Sequence, residues 1–154
     1  MTQRTETAAQ PQSAAPALRL ARIRQLSFVV VVLVIAEYLM GMYVNIYVTV
    51  PAADHGKGLG GAMANGPAMI TAHAVFGMLL ALGAIGVLVR AILARRPAVI
   101  TASAIGLLAL AGAVGSGASF TSSGHEGDSM VMAVLTGVAL ICYAANMLLP
   151  RQQS

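Results

Sequence analysis

The sequence predicts an all-α polytopic membrane protein, a bundle of four transmembrane helices, and three observations carry that reading. Of 154 residues, 58% are hydrophobic and 9% charged, whereas a soluble domain carries about 25% charged residues to cover its surface. Four stretches reach the roughly 20 apolar residues that a helix needs to cross about 30 Å of hydrocarbon. The basic residues flank those stretches instead of forming one patch, so the net charge of +4 points to a lipid bilayer as partner and not to nucleic acid.

The elements follow in order. Residues 1–25 form a basic N-terminal tail, and residues 1–18, rich in Ala, Gln, Thr, Ser and Pro without periodicity, read as disordered. The first span covers 26–50 and stops at Pro51; the second covers 68–89 and stops at Arg90. The third covers 98–120 behind Pro97, and the fourth covers 129–149, with 150–154 left as a C-terminal tail. Proline suits these ends because it cannot donate to a continuing helix and disfavours helix in the residue before it. The first apolar stretch is about twice the 7–15 residues of a signal-peptide core, which marks it as an uncleaved span. The connector from Pro51 to Gly66 contains DHGKGLGG but lacks the pattern of a phosphate loop, and reads as flexible and glycine-rich.

Orientation follows from charge. Arg4, Arg19, Arg22 and Arg24 precede the first span, Arg90, Arg95 and Arg96 fill the second loop, and Arg151 follows the fourth span. Lys57 alone lies on the other side, so both termini are expected in the cytoplasm. Arginine in place of lysine, with abundant Ala, Gly and Val, is the composition of a high-GC bacterial genome, and the expected location is the bacterial cytoplasmic (inner) membrane. The single cysteine, Cys142, permits no intramolecular disulfide.

A two-helix duplication is the further pattern. LMGMYV at 39–44 aligns with LAGAVG at 110–115, setting Gly41 against Gly112. HAVFGMLLAL at 73–82 aligns with MAVLTGVALI at 132–141, setting His73 against Met132. Such halves would be parallel repeats about an axis along the membrane normal. His73 and Met132 would then lie at one depth, roughly 5–8 Å below the outer surface, and could take the two faces of one flat cofactor.

Haem iron accepts histidine nitrogen and methionine sulfur. His73 and Met132 are therefore the candidate metal ligands of a haem b, with Met130 the rival for the second position. Gly41, Gly77, Gly112 and Gly115 supply small residues where a ring would approach, although glycine is also enriched wherever membrane helices touch. This arrangement resembles one four-helix half of the haem A synthase family, over residues 26–149: the four-span layout, His73 in helix two, and the glycines Gly41 and Gly112. The resemblance implies haem held by histidines of the second and fourth helices. The chain departs from it at Met132, where a histidine is expected, in T71-A-H-A-V75, which lacks the acid–histidine–arginine signature, and in the missing loop cysteines. Those departures set aside haem A synthesis and leave haem binding. The chain is also similar to small four-span bacterial membrane proteins with a single helix-two histidine.

Two other features compete. Glu37 lies near mid-membrane, and Glu37, Gly41, Asn45 and Thr49 form a stripe expected to face the interior. Glu37 would carry a proton or offset a cation, or else be a protonated acid hydrogen-bonded to Thr136 or Asn146. Met63, Met69, Met130 and Met132 with His55, His73 and His125 suit copper by softness alone, without a dedicated spacing. No nucleophile–base–orienter set appears, so a stand-alone enzyme is not expected and catalytic residues are none. Three classes stand: a b-type haem protein for electron transfer or haem sensing; a cofactor-free accessory or assembly subunit, with other subunits or a homodimer as partner; and a transporter of metal or small solute.

Overall fold

The computed structural model describes residues 14–48, 56 and 58–149. These form five helices in chain order: α1 (Ala14–Tyr47), α2 (Gly58–Asn65), α3 (Ala68–Leu93), α4 (Pro97–Ser123) and α5 (Glu126–Leu148). Four of them, all but α2, are long and apolar enough to cross a membrane. The protein is an all-α four-helix bundle, as its composition requires.

The helices form a ring in which α1 packs on α3 and α5, and α4 packs on the same two. The contact of α4 with α5 is the most extensive. Hence α3 and α5 face each other across the diagonal. One end of the bundle carries α2; the other carries Arg19, Arg22, Arg24, Arg90, Arg95 and Arg96 and is called here the arginine end.

Two boundaries differ from those expected. α1 has 34 residues, about 51 Å at 1.5 Å per residue, and begins well inside the stretch read as a disordered tail. Its first turns are held by tertiary contact: Ile23 is buried against Ala91 of α3 and Val99 of α4. Residues 1–13 of that expected tail, and residues 150–154, lie outside the described residues. The second difference is α2, which lies in the stretch read as a flexible connector. There Ala62 is fully buried, the Thr71 hydroxyl donates to the Met63 carbonyl at 2.8 Å, and the Asn65 amide donates to the Gly61 carbonyl at 3.3 Å. Packing against α3 and α4 outweighs the weak helix propensity of its glycines.

The loops between long helices are tight. Arg95 adopts φ 53 at the end of α3, where Arg96 N–H reaches the Ala91 carbonyl, and Pro97 opens α4 at the first helical position, where it loses no hydrogen bond. Gly124, at φ 69, ends α4. Two serines of α4, Ser119 and Ser123, then donate to Asp128 in the first turn of α5, at 2.8 and 3.1 Å, where a carboxylate suits the helix dipole.

The core fills the middle and the arginine half. Val30, Val34, Leu80, Ala84, Val87, Leu110, Ala139 and Tyr143 form one buried cluster. Towards the arginine end, Asn146 Nδ2 donates to Ser103 Oγ at 2.9 Å and the Tyr143 hydroxyl approaches the Ser103 carbonyl at 3.5 Å.

Candidate functional site

Towards the α2 end the interior changes character. A cavity of about 140 Å³ opens among α1, α3, α4 and α5, with Leu59 of α2 in its wall. Its floor is Leu80, Leu110 and Thr136, and its wall holds an acid and an imidazole, Glu37 and His73. These are not separate features. His73 Nδ1 lies 2.9 Å from Glu37 Oε1, with side-chain exposures of 21% and 11%. The approach is short but bent away from a straight hydrogen bond, and neither Nδ1 nor Glu37 Oε2 has another partner. The pair's mutual contact is therefore the interaction that offsets its removal from water.

Glycines make the pair fit. A Cβ on Gly41 would stand 3.0 Å from His73 Cε1, and one on Gly77 would stand 2.8 Å from Glu37 Oε1. Gly41 follows Glu37 by one turn on α1, and Gly77 follows His73 by one turn on α3. The helices run in opposite directions, so each polar side chain lies over the other helix's glycine. The seating is reciprocal.

The remaining candidate residues divide. Met132, on the diagonal helix α5, lines the same cavity as His73, and its sulfur packs on Gly117, 3.3 Å from where a Cβ would be. Met130 is 72% exposed on the outside of the bundle, so it faces away. Gly112 is covered by Leu135 and Gly115 has nothing within 4 Å; neither lines the cavity. The stripe of α1 does face inward: Glu37, Gly41 and Asn45 all line the cavity, while Thr49 lies outside the described residues. Asn45 Oδ1 accepts from the Ser129 hydroxyl at 2.9 Å. Of the partners expected for Glu37, Thr136 donates instead to the Met132 carbonyl and Asn146 is engaged by Ser103. His73 takes that role.

The enclosed part of the cavity is small. Its volume is close to that of an engineered cavity of about 150 Å³ that admits one benzene. Of the glycines expected to border a ring, Gly41, Gly77 and Gly112 stand against His73, Glu37 and Leu135, whereas Gly115 has nothing within 4 Å. Among the described residues, no three His, Cys, Asp or Glu side chains gather around a metal position; His55, one of the copper candidates, lies outside them. What the cavity offers is an apolar space for one ring, with a polar pair on one wall. The wall also reaches the lipid-facing surface, since Tyr38, Met42, Met78 and Val114 line it and are 42%, 37%, 47% and 44% exposed.

The chain matches no known family, no curated protein and no solved structure.

Proposed function

We propose that the protein is an integral membrane protein that binds a small lipid-soluble molecule in the cavity near its α2 end, with His73 as the principal polar contact and Glu37 as the residue that orients it. One observation carries this reading: Glu37 Oε1 stands 2.9 Å from Nδ1 of His73, while Nε2 has no hydrogen-bond partner among the described residues and the ring borders a ring-sized apolar space. A pocket that is largely apolar with a few convergent polar groups is the usual form of a small-molecule site. Buried ionisable groups in a span mark function by default. The arginine end is cytoplasmic in this reading and the α2 end external, because the six basic residues among the described ones, Arg19, Arg22, Arg24, Arg90, Arg95 and Arg96, all lie at the former. The dry layer of Val30, Val34, Leu80 and Leu110 beneath the cavity favours a binding protein over a conduit.

The test is chemical analysis of what accompanies the protein. Organic extracts of purified wild type should contain a lipid-soluble molecule that is depleted from Ala113→Phe, which fills the cavity, and from His73→Ala. Identical extracts from all three proteins would overturn the reading. A Soret band in wild type that disappears in His73→Ala would replace it with haem binding.

A further inference from the structure

The contact of Glu37 with Nδ1 of His73 narrows the ligand's chemistry. We infer that the cavity takes a ring bearing two acceptor oxygens, of the 1,4-diketone or quinone type, held by His73 Nε2–H at one side and the Asn45 amide at the other. The inference rests on the binding reading above.

Net charge decides the first contact. Among the described residues no Lys or Arg lines the cavity, so none of them supplies a cation to balance the pair, and an uncompensated charge in such surroundings costs most. Two uncharged arrangements place a proton in the Oε1–Nδ1 bridge: carboxylic acid with neutral imidazole, or carboxylate with imidazolium. In both, Nε2 carries a hydrogen and is a donor. A third uncharged arrangement puts the acid proton on Oε2, which has no partner, and so leaves the pair's strongest donor unsatisfied. An Nε2 lone pair free to accept is therefore the disfavoured form, and the ligand must supply the acceptor.

Asn45 gives the second contact. Its Oδ1 is occupied by Ser129, which leaves the Nδ2 hydrogens without a partner among the described residues. His73 packs at the level of Gly41, and Asn45 is one turn farther along α1, about 6 Å. The two donors thus stand at successive levels of the cavity wall, where a ring with two oxygens meets one with each. The cavity volume admits one such ring, and an apolar tail would leave past Tyr38, Met42 and Met78 into lipid. No electron transfer is included in this proposal; it concerns binding.

The experiment uses the full chain in lipid bilayers, with duroquinone and durene as matched rings with and without the oxygens. In histidine labelled with ¹⁵N, the His73 signals, identified by their loss in His73→Gln, should show a protonated Nε2 before any ligand is added. Duroquinone should shift this N–H and the methyl signals of Met42, Met78 and Met132, about tenfold more tightly than durene, consistent with one net hydrogen bond or more. Asn45→Val, at the cavity rim, should remove much of that advantage. An unprotonated Nε2, or durene bound as tightly as duroquinone, would overturn the acceptor assignment while leaving the cavity reading intact. Methionine signals that respond to neither ring would defeat the cavity reading itself.

Discussion

The two halves of the bundle are built from the same four helices and nearly the same residue types, yet one is closed and the other is hollow. In the arginine half, Val30, Val34, Val87 and Tyr143 meet across the interior and leave no exposure to speak of. In the α2 half, the corresponding positions are Gly41, Ala74, Gly77, Ala113, Gly117 and Ala133, which line a cavity. Lipid chains are as apolar as these side chains, so the closed half is held by close packing rather than by escape from water. The comparison separates two uses of a small residue. Gly106 lets Tyr143 lie directly on α4, with Cε2 at 2.9 Å from a would-be Cβ. Gly41 and Gly77 instead make room for polar side chains. Where small residues exceed what those side chains fill, space remains.

The contrast can be broken at several points. The largest effect is expected from Glu37→Lys, which sets a cation beside His73 within the span; about 3 kcal/mol of stability should be lost, read as failure to accumulate or as early unfolding in mixed-detergent titration. Glu37→Gln should accumulate normally, because it keeps size and hydrogen-bonding capacity. Gly106→Val comes next. Its methyl groups collide with Tyr143 and Cys142, and a loss of about 1–3 kcal/mol is expected. By contrast Ala113→Leu, on the cavity side, should cost less than that and reduce ligand occupancy.

Gly77→Ala sharpens the comparison further. The new Cβ meets the far end of a flexible side chain, and alanine is favoured over glycine in a helix by up to about 1 kcal/mol. Stability should hardly move, while the Glu37–His73 contact is pushed apart and the ¹⁵N signals of His73 change. Ser27→Ala is the smallest. Ser27 is fully buried and its hydroxyl has no partner, so the change should be neutral or slightly stabilising. Asn146→Leu, which strips the bond to Ser103, should cost roughly 0.6–1.7 kcal/mol, read in the same unfolding titration.

The fold class and the four spans were legible because lipid demands long apolar helices, and that demand is written in composition. Helix ends were less legible. The start of α1 depends on Ile23 finding Ala91 and Val99, and α2 depends on burial of Ala62; both are tertiary facts. Glu37 and His73 were each visible as oddities, but their pairing requires the register between two antiparallel helices. A signal did exist in the spacing: Glu37 and Gly41 on one helix repeat as His73 and Gly77 on another. Composition alone did not show that His73, Glu37 and Leu135 stand against Gly41, Gly77 and Gly112. The alignment of Gly41 with Gly112 also hides different roles, since one receives an imidazole and the other Leu135.

The reciprocal seating has a consequence for how the chain enters the membrane. While α1 is the only helix inserted, Glu37 has no imidazole to meet and Gly41 leaves bare backbone beside it, so α1 carries an acid that costs a few kcal/mol in hydrocarbon. Only when α3 arrives antiparallel to it do both helices lose that penalty together. A sliding or rotated pairing of the two helices would strand both ionisable groups at once, so the seating favours a single register for the hairpin of the first two spans.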